Sequence, residues 1–83
     1  VKRRRPLPKV IVRPLPGDTG GLACKEDNTI ELDPNIKGHK ERLRVLVHEA
    51  LHLADWPAGE RKVDRVSREI TDVLWKQGYR KKS

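Results

Sequence analysis

Two histidines four residues apart, with a glutamate beside the first, carry the clearest chemical potential in this chain: His48-Glu49-Ala50-Leu51-His52. On a helix, residues i and i+4 share a face and lie about 6 Å apart along the axis, at roughly 1.5 Å per residue. Two imidazoles so placed can converge on one tetrahedral Zn²⁺. Glu49 sits about 100° around the helix from His48. From there it can reach a water on the metal without becoming a ligand. The competing reading leaves His48 and His52 as partly exposed polar residues of an outer face, with Glu49 in a surface ion pair.

A catalytic zinc needs a third protein ligand and an open fourth position. Cys24 and His39 are available but poorly spaced: His39 is nine residues before His48, half a turn out of phase, and Cys24 is expected to face the core as a buried thiol. The following segment offers Glu60, Asp64, Glu69 and Asp72. Glu60 falls in the first turn of a second helix, which an antiparallel return brings near His52; Asp64, one turn on, comes near His48. One of the two then suits the ligand, and the other the carboxylate that accepts the free ring N–H of a zinc-bound His. In the competing readings Glu60 is an acid favoured by the helix dipole, and Asp64 pairs with Arg61, Arg65 or Arg68.

The elements that must position these residues follow from periodicity. From about Lys40, Leu43, Leu46, Val47, Ala50, Leu53 and Ala54 recur at helical spacing. Trp56-Pro57-Ala58-Gly59 ends that helix, because a residue before Pro is pushed out of the helical region. A second helix is expected from about Ala58 to Gln77, with Val63, Val66, Ile70, Val73 and Leu74 as its apolar stripe and Gly78 as its C-terminal cap. The short connection makes the two antiparallel. Upstream, Lys9–Arg13, Leu22–Cys24 and Thr29–Leu32 read as short strands, the last two forming an antiparallel hairpin. The expected class is therefore α+β: a small N-terminal antiparallel sheet of two to three strands packed on two antiparallel helices. Residues 1–8 read as a flexible basic arm, 9–80 as one domain and 81–83 as a basic tail.

Eighty-three residues with 35% hydrophobic and 4% aromatic content bury little surface, so a staple is expected. One Cys excludes an intrachain disulfide, leaving a metal, an oligomer or tight helix packing. No apolar run approaches the roughly 20 residues of a membrane span, and no secretory signal is visible, so the expected compartment is the cytoplasm. The net charge of +7 belongs to the ends. Lys2, Arg3, Arg4, Arg5, Lys9 and Arg13 cluster without an acid, as do Lys76, Arg80, Lys81 and Lys82; residues 14–75 carry nine basic residues against twelve acids, a net −3. Basic ends attract nucleic acid or an acidic partner, Lys2, Arg3, Arg4 and Arg5 foremost, or simply keep a small protein soluble. With Tyr79 as the lone aromatic among them, a base-stacking groove is poorly supported.

His48-Glu49-Ala50-Leu51-His52 followed by Glu60-Arg61-Lys62-Val63-Asp64 resembles the gluzincin metallopeptidases, whose hallmark is H-E-x-x-H on one helix and E-x-x-x-D on the next. The resemblance implies a minimal zincin-like core with His48, His52 and Glu60 as zinc ligands, Glu49 as general base and Asp64 supporting a ligand His. The connection of seven residues is much shorter than in larger gluzincins, and their substrate-binding subdomains are absent. From Thr29 to Arg80 the chain also resembles small phage-encoded H-E-x-x-H proteins, in the Asp55-Trp56 pair and the Leu74-Trp75-Lys76-Gln77-Gly78-Tyr79-Arg80 ending. In this superfamily a phenol or imidazole often stabilises the oxyanion; Tyr79 is the one phenol here, and its other reading packs it beside Trp75.

The function these readings converge on is zinc-dependent hydrolysis of peptide bonds in a peptide or protein substrate, with Glu49 activating the zinc-bound water. The alternative is a zinc-binding domain with little or no catalysis that serves as a partner- or nucleic-acid-binding accessory protein. It predicts zinc binding without hydrolysis.

Overall fold

The computed structural model describes residues 6–80; the basic residues Lys2, Arg3, Arg4 and Arg5 and the tail 81–83 lie outside the described residues. Three strands, β1 (Lys9–Val12), β2 (Gly21–Cys24) and β3 (Thr29–Leu32), precede two helices, α1 (His39–Ala54) and α2 (Glu60–Lys76). The α+β class is as expected.

The hairpin forms as the sequence predicts: β2 pairs antiparallel with β3, from Gly21 opposite Leu32 to Cys24 opposite Thr29. Its turn is closed by Asn28 N–H donating to Lys25 O at 3.3 Å. Asn28 takes φ 51°, a left-handed conformation that Asn tolerates better than most residues. The first strand differs from expectation. β1 pairs parallel with β3, giving the order β1-β3-β2 and a mixed rather than antiparallel sheet.

The reason lies in residues 13–20, which carry the chain across the end of β3 instead of folding it back beside β1. Arg13 N–H donates to Leu32 O, and Asp33 N–H to Gly20 O, so both ends of the crossing loop are tied to the end of β3. Asp33 Oδ2 accepts the Leu15 N–H at 2.9 Å, and Leu15 is buried. Those two backbone hydrogen bonds, from Leu15 and Asn35, hold the Asp33 carboxyl below its ordinary range.

Ile30 and Leu32 on one face of β3 pack with Val45 and Leu53 of α1, and Ala23, Ile36, Leu46 and Ala50 surround them. α1 lies over β2 and β3, whereas α2 packs on α1 and touches no strand. The buried face of α2 matches the expected stripe only in part: Val63 is buried and Val66 and Leu74 are half-buried, but Ser67 and Thr71 take the place of Ile70 and Val73, which are exposed. Small residues at i, i+4 and i+8 let α2 approach α1 closely, and among the described residues no third layer covers Ile70 and Val73. α2 ends in a Schellman cap: Gly78 (φ 87°) N–H donates to Trp75 O and Tyr79 N–H to Leu74 O. No helix among the described residues is long and apolar enough to cross a membrane.

Candidate metal centre

His48 and His52 project from one face of α1, their rings edge to face with centroids 4.9 Å apart. Chain reversal through residues 55–59 sets the first turn of α2 against them. Glu60 then reaches both imidazoles: His48 Nε2 to Oε1 at 2.7 Å and His52 Nε2 to Oε2 at 2.8 Å. An ionised carboxylate only accepts, so each ring donates its Nε2 proton. The three ligand atoms lie within 4.8 Å of one another, and the group can hold a metal ion. Burial of the Glu60 carboxylate works upward on its pKa, but hydrogen bonds and charge from His48 and His52 outweigh it and hold the group below its ordinary value.

The two ring nitrogens of His48 have different surroundings. Nε2 meets Glu60, whereas Nδ1 is buried without a hydrogen-bond partner among the described residues, 3.8 Å from Asp64 Oδ1. Asp64 is held in turn by Arg68 at 3.0 Å and Arg44 at 3.5 Å. The hydrogen bond from Arg68 lowers its pKa, with Arg44 and His48 adding to the same direction. The ion pair of Asp64 with Arg68 is thus formed, whereas the expected hydrogen bond to a His48 ring nitrogen is not, the two atoms standing 3.8 Å apart.

Glu49 packs against β2 at Gly21 while remaining within reach of the charges of His48 and His52. Desolvation pushes its carboxyl above the ordinary range against the pull of His48 and His52. Gly21 makes that placement possible: a Cβ there would stand 2.7 Å from Val45 Cγ1 and 3.0 Å from Glu49 Cγ. Two clefts meet at Gly21 and Glu49. One, of about 700 Å³, runs under the 14–20 loop past Arg44 and His48; the other, of about 530 Å³, is lined by Leu22, Ala23, His52, Trp56 and Glu60.

The structure does not bring Tyr79 to this centre. It follows the C-terminal end of α2, about 25 Å along the helix from Glu60 at ~1.5 Å per residue, and is 67% exposed. That placement is incompatible with an oxyanion role for Tyr79; at this end of α2 the Arg80 guanidinium lies 4.1 Å from the Trp75 ring centroid. Cys24 is also not a core thiol. Its pairing with Thr29 puts it on the outer face of the sheet, where Sγ lies 3.5 Å from Asp27 Oδ2. His39 opens α1 exposed, and Asp72 pairs with Lys40.

Sequence reasoning did not single out Arg44, Gly21 or Asp33. Arg44 had a legible signal, since it stands four residues before His48 on the same helix face. Gly21 and Asp33 act through contacts across strands that no local pattern encodes. Comparison with protein-family models, curated protein sequences and solved structures finds no match to this chain.

Proposed function

We propose that the chain is a minimal zinc-dependent endopeptidase, with His48, His52 and Glu60 as ligands, Glu49 as general base and Asp64 as the carboxylate behind His48. The observation that carries this reading is the convergence of both motif imidazoles on Glu60, with Glu49 desolvated alongside. Two nitrogens, a carboxylate and no sulfur suit a zinc ion that keeps a position open. A bound zinc would supply Lewis acidity and lower the pKa of its water to about 7.

The chain's own part falls chiefly to Glu49. A carboxyl raised by burial is better matched to accepting a proton near neutrality, so Glu49 takes the proton of the attacking water and returns it to the leaving amine. Cleavage within a chain, rather than at its end, is supported by the two clefts flanking Glu49. Among the described residues β2 has β3 on one side only, so its other edge offers backbone groups to an extended polypeptide segment. A single cysteine without a disulfide partner agrees with a reducing compartment such as the cytoplasm.

The test is hydrolysis of a peptide library by the zinc-loaded chain and by Glu49→Gln. Cleavage by the wild type that falls about 10²–10⁴-fold in the variant, at equal zinc content, supports the reading. Zinc binding with no cleavage, or cleavage indifferent to Glu49→Gln, overturns it in favour of an accessory zinc domain.

A further inference from the structure

We propose that a phosphoryl oxyanion binds in a third cleft, at the N-terminus of α1, about 15 Å along that helix from His48 at ~1.5 Å per residue. This cleft, of about 480 Å³, is bounded by the first turn of α1 and the C-terminal half of α2. Three independent features of it ask for an anion.

The first is the helix end itself. Gly38 occupies the N-cap with φ 85° and offers no side-chain oxygen, so no side chain caps the first-turn N–H groups. Those donors, at the positive end of the dipole, belong to the turn in which Gly38, Lys40 and Glu41 line the cleft.

The second is Thr71. Its side chain lines the cleft and is 1% exposed, yet Oγ1 has no hydrogen-bond partner among the described residues. A buried hydroxyl left unpaired is destabilising, and a ligand oxygen would satisfy it.

The third is charge. Lys37, Lys40, Arg44 and Arg68 line the cleft against Glu41 and Asp72. Arg44 is engaged by Glu41, Lys40 by Asp72, and Arg68 by Asp64 from outside the cleft. Lys37 has no ion-pair partner among the described residues, so one positive charge is left over, added to the helix dipole. Helix N–H groups, a hydroxyl and an ammonium thus belong to residues bordering one cleft. A tetrahedral phosphoryl group meets three such donors with different oxygens, whereas a planar carboxylate has only two to offer.

The experiment is a titration of the full zinc-loaded chain with inorganic phosphate at constant ionic strength, followed by amide NMR shifts. Saturable shifts at Lys40 and Glu41 are expected, and Thr71→Val or Lys37→Gln should weaken them roughly fivefold or more without changing zinc content. Dimethyl phosphate forms the second arm. It has only two terminal oxygens, so binding of phosphate with little or none of the diester is expected and identifies a free or monoester phosphate, whereas equal binding of both would overturn the three-donor geometry. Non-saturating shifts matched by chloride, shifts centred on His48 and His52, or wild-type binding by Thr71→Val would overturn the proposal. None of these outcomes depends on peptidase activity.

Discussion

Asp64 Oδ1 stands 3.8 Å from His48 Nδ1, across the imidazole from the Nε2 that meets Glu60. A metal on Nε2 requires that nitrogen deprotonated, which moves the ring proton to Nδ1, a buried site with the Asp64 carboxylate 3.8 Å away. Closing that gap converts an unpartnered nitrogen into a hydrogen-bond donor and fixes the tautomer the metal needs. Asp64→Ala should therefore lower zinc affinity about 10–100-fold in chelator competition. An unchanged affinity would reduce Asp64 to a partner of Arg68 and Arg44.

Gly21 is predicted to be intolerant of any side chain. Its Cβ would fall inside the contact distance of Val45 and press on Glu49. Gly21→Ala should cost about 1–3 kcal/mol in urea unfolding, the usual range for overpacking. It should also reduce peptide hydrolysis by moving Glu49, with zinc content retained.

Glu41 gives a pH dependence away from the metal. The hydrogen bond from Arg44 is the chief cause that holds its pKa below 4.5, against partial desolvation. A folded-state pKa lowered in this way adds stability that is complete above the unfolded value and lost as pH falls through the folded one. For an i,i+3 pair screened by solvent the contribution is about 0.5 kcal/mol. Glu41→Gln should be less stable than wild type by that amount at pH 7, with the difference vanishing in acid.

Metal removal should loosen the contact between the helices. α2 is attached to the rest of the fold through α1 alone, and His48, His52 and Glu60 span that contact. Zinc at 1,000 times its dissociation constant stabilises the folded chain by about 4 kcal/mol, so a chelator should lower the melting temperature markedly. His52→Ala should abolish the chelator-induced shift.

The candidate site was more legible in the sequence than the fold around it. His48, His52 and Glu49 are related by helix geometry alone, and a five-residue connection leaves Glu60 little choice but to meet them. The parallel pairing of β1 was hidden because Lys9–Val12 alternates no differently for either direction; the deciding contacts are Leu15 and Gly20 on Asp33, distant in sequence. The α2 face departs from its apolar stripe at Ile70 and Val73 because apolar periodicity presupposes an apolar partner. Against the polar side of α1, where Lys40, Arg44 and His48 stand, the small side chains of Ser67 and Thr71 pack better than Ile70 or Val73. Oxyanion stabilisation was assigned to Tyr79 by residue type, without the helix length that separates it from Glu60.

The most direct test of the central claim is the zinc content of the purified chain after dialysis, in wild type and in His48→Ala. The account predicts one zinc per chain in the wild type and loss of it in the variant. A wild-type chain that retains no zinc, or a variant that retains it fully, would contradict the assignment of His48, His52 and Glu60 as a metal centre.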